Sequence, residues 1–144
     1  LYTPGVTLNR WADVLDVYKR KFKNGAKILD IGGQSTRPGS EIISEMEEWN
    51  RVNSAITVIL KEFPETTLSI DTFYSSVARK AADVGASIIN DISGGSMDDK
   101  MFTTMAELKL PYVLMHIPGT PETMHKIPES VSYTHLTLPT SDLV

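Results

Sequence analysis

Gly25-Ala26-Lys27-Ile28-Leu29-Asp30-Ile31-Gly32-Gly33 returns sixty residues later as Gly85-Ala86-Ser87-Ile88-Ile89-Asn90-Asp91-Ile92-Ser93-Gly94-Gly95. Each copy opens on a glycine able to stop a helix, runs through a short apolar stretch suited to a strand, and ends on a carboxylate or amide followed by glycines. Sixty residues is the length of two strand–helix units of about 30 each. The sequence between and around the copies fills in those units.

Trp11, Leu15, Tyr18 and Phe22 recur at helical spacing ahead of Gly25. Trp49, Val52, Ile56, Ile59 and Phe63 form a second apolar stripe, closed by Pro64, and Val77, Ala78, Ala81 and Val84 form a third, closed by Gly85. Asp98 is the predicted N-cap of a fourth helix carrying Met101, Met105 and Leu108. The acidic run 41–48 reads as a first helical turn, where negative charge meets the positive end of the helix dipole. Strands are predicted over 26–31, 67–71, 86–92 and 112–116. Strict alternation of helix and strand implies parallel strands with helical crossovers, and strands this apolar are expected to be covered on both faces. Equivalent units repeated around a ring describe a (β/α)8 TIM barrel, which takes about 250 residues. The fold class expected is therefore α/β, a partial TIM barrel with about four of its eight strands. An open flavodoxin-like sheet suits the length better, so the choice falls to the motifs.

The bulk properties narrow the function classes. A chain of 144 residues with 41% hydrophobic residues fits one globular domain. A net charge of −4 offers no electrostatic footprint for nucleic acid or an anionic membrane. The absence of cysteine excludes disulfides and thiolate zinc sites and accords with a cytoplasmic protein.

Candidate chemistry gathers where the strands end: Asp30, Asp71, the Asn90-Asp91 pair and His116. In parallel α/β folds this end of the sheet faces the ligand. The segment 30–39, Asp-Ile-Gly-Gly-Gln-Ser-Thr-Arg-Pro-Gly, adds glycines for close backbone approach, hydroxyls at Ser35 and Thr36, and the planar fork of Arg37 for a carboxylate or phosphate, with Pro38-Gly39 as a turn. The methionines other than Met115 read as core filler, and His116, His125 and His135 as structural or solvated.

The string 30–39 resembles the second-loop signature of the dihydropteroate synthases. Leu68-Ser69-Ile70-Asp71-Thr72 resembles that family's next strand, Ile88-Ile89-Asn90-Asp91-Ile92 the one after, and Met115-His116-Ile117-Pro118-Gly119-Thr120-Pro121-Glu122-Thr123-Met124 its Met-His segment. The resemblance covers 1–130 and implies a transferase of folate biosynthesis, joining a hydroxymethyl-dihydropterin diphosphate to para-aminobenzoate. It implies substrate contacts from Asp30, Thr36, Asp71, Asn90 and Met115, with Arg37 and Pro38 in the loop that helps form the aminobenzoate site. It assigns no catalytic residue in this chain. The family uses magnesium, whose ligand is expected upstream of Leu1, and is commonly a homodimer. The strands and basic groups that complete the family's site are expected beyond both ends, so these residues alone are expected to be inactive and marginally stable. Two rival readings are a pterin-binding methyltransferase domain and a non-catalytic barrel fragment. Residues 131–144 fall outside the resemblance and match a translated sequencing adapter, so they are expected to be a non-native tail.

Overall fold

The structure, a computed structural model, describes residues 11–35, 41–115 and 117, with side chains from Leu15 onward. Helices and strands alternate: α1 (Trp11–Lys23), β1 (Ile28–Gly32), α2 (Glu45–Glu62), β2 (Thr67–Asp71), α3 (Ser75–Asp83), β3 (Ile88–Asp91), α4 (Met101–Leu108) and β4 (Tyr112–Leu114). All three strand pairs are parallel, and the spatial order β1-β2-β3-β4 follows the chain. A doubly wound sheet reverses its strand order part-way. Sequential order without reversal is that of a barrel wall, so the flavodoxin-like alternative falls away.

Strand pleating sorts the side chains into two sets. Leu29 and Ile31 of β1, Leu68 and Ile70 of β2, and Ile89 of β3 are buried in one cluster with Val52, Ala55, Ile56 and Ile59 of α2, Ala78 and Ala81 of α3, and Met101 and Met105 of α4. Tyr18 and Phe22 bring α1 onto the same cluster, Phe22 stacking tilted on Phe63 with ring centroids 4.8 Å apart. Burial of about a dozen aliphatic side chains, each contributing about 1.5–3 kcal/mol, makes this layer the main source of cohesion. The opposite set, on the inner face of the curved wall, includes Ile28, Asp30, Gly32, Ser69, Asp71, Asn90 and Val113. Ile28 is 52% exposed and Val113 48%. Among the described residues helices cover only one face of the sheet. The inner face of a barrel is closed by other strands rather than by a second helical layer.

The periodic signals located every element. Gly25 and Gly85, with φ of +92° and +111°, end the first and third helices in a conformation that side chains disfavour. The second strand has the expected bounds; of the others, 26–27, 86–87, 92 and 115 lie outside the strands, and Gly32 is added to β1. Three local readings change. Asp98 is not the N-cap of α4, whose cap is Lys100. Its Oδ1 instead accepts the Lys100 N–H, and its Oδ2 accepts the N–H of Ser75 at 2.7 Å, capping α3 from a distant loop. Val84 sits beyond α3 and is exposed. Met46, expected in the core, is 72% exposed on the first turn of α2. Met101 and Met105 are core residues as expected.

Candidate functional site

Asp71 is the last residue of β2, and in the parallel register it lies between Gly32 of β1 and Asn90 of β3. Asp30 stands two residues before Gly32 on the same inner face. Three expected site residues thus meet on one face of three neighbouring strands. The Asn90 amide nitrogen donates to Asp30 Oδ2 at 3.2 Å, across the intervening strand. The Asn90 amide oxygen is buried without a partner. The Asp71 carboxylate makes no side-chain hydrogen bond among the described residues. A buried acceptor left unsatisfied costs about 1–3 kcal/mol, so the pair is placed to gain from a ligand that presents adjacent N–H donors.

Gly32 keeps that approach open. A Cβ there would lie 3.3 Å from Asp71 Cβ and 3.5 Å from Asp71 Oδ2. The electrostatics fit a binding carboxylate under load. Burial pushes the Asp71 carboxyl up to about 6, and the negative charges of Asp30 and Asp91 add to the rise. A ligand donating two N–H bonds to Asp71 would reverse that penalty and favour its charged form.

Asp91 follows Asn90 but does not share its role. It is fully buried on the helical side, and its oxygens are taken by Ser93 N–H and hydroxyl, Gly95 N–H and the Tyr112 hydroxyl, at 2.6–2.8 Å. The strand-end pattern flagged both residues, and alternation of the pleat divides them: one faces the cleft, the other locks the loop 93–96 against β4. Met115 follows β4, is 42% exposed, and donates its N–H to the Asp91 carbonyl. Thr36, Arg37, Pro38 and His116 lie outside the described residues.

The root of the loop that holds those residues is described. Gln34 is 5% exposed. Its amide donates to the carbonyls of Ser35 and Glu41 and accepts from Ile43 N–H, so one side chain ties the two ends of the loop together. Arg51 of α2 donates to the Gly33 carbonyl at 3.0 Å. Glu48, read from sequence as a helix-dipole charge, is completely buried, accepts the Thr72 hydroxyl at 3.1 Å, and is raised to about 7 by desolvation. Gln34, Glu48, Thr72 and Asp91 were not legible as site framework, because each depends on contacts between distant elements. The glycine at 33 was the one available signal: a Cβ there would stand 2.8 Å from Glu48 Cγ.

The profile for pterin binding enzymes matches residues 2–136. The chain belongs to the pterin binding enzyme family. Among members of this family, the folic acid synthesis protein fol1 of Pneumocystis carinii is 57% identical over 100 residues, covering 69% of this chain and 14% of that protein. The crystal structure of the Yersinia pestis dihydropteroate synthase with a sulfonamide drug complex superimposes with a TM-score of 0.81 at 34% identity, over 91% of this chain and 47% of that one. The Xanthomonas albilineans dihydropteroate synthase with 4-aminobenzoic acid gives a TM-score of 0.72 at 36% identity, over 82% of this chain and 42% of that one. The chain thus spans less than half the length of these pterin-binding relatives. Shared fold with the synthases establishes the TIM-barrel architecture, of which the four described strands are a part.

The family resemblance implies magnesium. Among the described residues no group of three His, Cys, Asp or Glu side chains could hold a metal ion. These described residues do not by themselves fit a metal site.

Proposed function

We propose that this chain supplies the pterin-recognising part of a dihydropteroate synthase, a transferase of folate biosynthesis. The observation that carries the reading is the Asp71–Asn90 pair, adjacent in register on the inner face, with a carboxylate that makes no side-chain hydrogen bond among the described residues and a buried amide oxygen without a partner. The amino and ring N–H groups along one edge of a pterin match those acceptors. In the reaction, the amine of para-aminobenzoate attacks the methylene carbon of a hydroxymethyl-dihydropterin diphosphate. A C–N bond forms, the C–O bond to diphosphate breaks, pyrophosphate departs with the electron pair, and the amine loses a proton. Asp71 and Asn90 orient the pterin for that attack, with Asp30 bracing Asn90 and Met115 bordering the pocket. Thr36, Arg37 and Pro38 are proposed to meet the aminobenzoate side. The proposal extends to a cytoplasmic, homodimeric complete enzyme using magnesium held by residues outside those described. The names of the synthase relatives and the 4-aminobenzoic acid of the Xanthomonas structure support the synthase reading.

The test is calorimetric titration of the full-length protein with a hydroxymethylpterin, beside Asp71→Asn. Selective loss of binding in a variant that melts normally is expected. Unchanged affinity would overturn the assignment.

A further inference from the structure

We propose that Glu48 is a positioning residue of the site, joining the turns after β1 and β2 from behind the sheet and so fixing where Asp71 stands. This rests on the pterin reading of Asp71. Glu48 belongs to the first turn of α2 yet has no exposed surface. Its Oε2 accepts the hydroxyl of Thr72, the residue after Asp71, and that hydroxyl oxygen accepts the Tyr74 N–H at 3.1 Å. Its Cγ and carbonyl oxygen abut Gly33, at 2.8 and 3.0 Å from where a Cβ would stand. One residue therefore meets the turns that follow two neighbouring strands, its carboxyl at Thr72 and its Cγ and backbone carbonyl at Gly33.

The groups facing it set its charge state. Asp71 at the end of β2 and Glu45 on α2 oppose a negative charge, Arg51 on α2 favours one, and Tyr74 stands beside it. Its Oε1 is buried without a partner. Desolvation wins, and the carboxyl rises to about 7. Asp71 is itself raised to about 6, chiefly by burial. Well above both values two buried negative charges stand next to the same turn.

Glu48→Gln keeps the shape, the acceptor for Thr72 and a permanently uncharged group. In the full-length protein, wild type and E48Q are expected to bind a hydroxymethylpterin alike at about pH 6, while at about pH 8.5 the wild type binds roughly fivefold more weakly than E48Q. Thr72→Val, which removes the bond and keeps the volume, is expected to weaken binding at both pH values. Parallel pH profiles for wild type and E48Q, or wild-type affinity in Thr72→Val, would overturn the proposal. Thr72→Val decides alone if E48Q does not fold. If the wild type takes no pterin, the functional reading falls separately. Amide exchange at Tyr74 then tests the clasp, which requires it to loosen at high pH in the wild type and not in E48Q.

Discussion

Asp30 and Asn90 stand sixty residues apart in sequence and are joined by a 3.2 Å hydrogen bond across β2, which separates their strands. The repeated segment that points to the fold thus closes on itself in space. The bond occupies the Asn90 amide nitrogen and fixes the amide plane, leaving the buried amide oxygen without a partner. Asp30→Ala frees that amide to rotate. Its expected effect is a several-fold loss of pterin affinity with little change in melting temperature, measured by calorimetry and thermal unfolding side by side. A loss of stability with intact affinity would contradict it.

Asp71→Asn is expected to cost about 2–4 kcal/mol of pterin binding, the scale of a charge-assisted pair replaced by a mismatched amide. Asn90→Ala removes a neutral acceptor and should cost less, about 1–2 kcal/mol. Titration calorimetry of both variants in the full-length protein checks the order as well as the size. Equal losses would mean that the carboxylate has no special share.

Stability should fall as pH rises through the range where Glu48 titrates. Its folded-state pKa of about 7 lies above the ordinary 4.5, so the folded form binds the proton more tightly than the unfolded form does. The resulting stabilisation is full below about pH 4.5 and is lost as pH climbs through about 7, on the order of 3 kcal/mol for this group. Asp71 adds a change of the same sign between its ordinary 3.8 and about 6. Denaturant midpoints at about pH 5.5 and 8 should therefore differ in wild type and differ less in E48Q. A flat or inverted profile would defeat this account.

Two glycines should separate stability from binding. At Gly94, φ is +57° and a Cβ would meet the Met115 carbonyl oxygen at 2.2 Å, so Gly94→Ala must displace backbone and is expected to destabilise by 2 kcal/mol or more, about the upper part of the overpacking range. At Gly32 the nearest approach is 3.3 Å, to Asp71 Cβ, so Gly32→Ala should fold and lose pterin affinity by crowding the carboxylate. Melting curves and binding isotherms of the two variants should show opposite patterns.

Asp91→Asn removes one acceptor from a group bonded to Ser93, Gly95 and Tyr112. The expected cost is about 2–4 kcal/mol, since a buried partner is left unpaired. Tyr112→Phe breaks a single bond of the set and should cost about 1–2 kcal/mol. Chemical denaturation ranks the two, and a larger loss for Tyr112→Phe would refute the wiring.

Much of the architecture was legible because period and punctuation act locally. The stripe Trp49-Val52-Ile56-Ile59 can only be a helix face, and the glycines at 25 and 85 end helices through their own φ values. Asp71 and Asn90 were legible as site residues because a parallel sheet brings its strand ends together. Burial of an acidic residue is a different matter. Glu48 sits in an acidic run that reads as a first helical turn, and only the arrival of Thr72, just after β2 and 24 residues on, gives its carboxyl a reason to be inside. The pleat likewise decides that Asn90 faces the cleft while Asp91 turns away, and a shift of one residue would exchange them. Asp98 capping α3 instead of α4 is a third tertiary choice that no local pattern encodes.

The burial of Asp71, with Asp30 and Asp91 adding negative charge near it, reaches beyond affinity. A carboxyl that ionises near 6 alone and is held charged by a ligand must release a proton to the medium when binding occurs at or below that pH. The heat of pterin binding will then contain the buffer's own heat of protonation. Titrations in phosphate and in a strongly exothermic amine buffer will disagree in enthalpy while agreeing in free energy. The size of that disagreement counts the protons displaced, so the buffer becomes a gauge of how charged the empty site was.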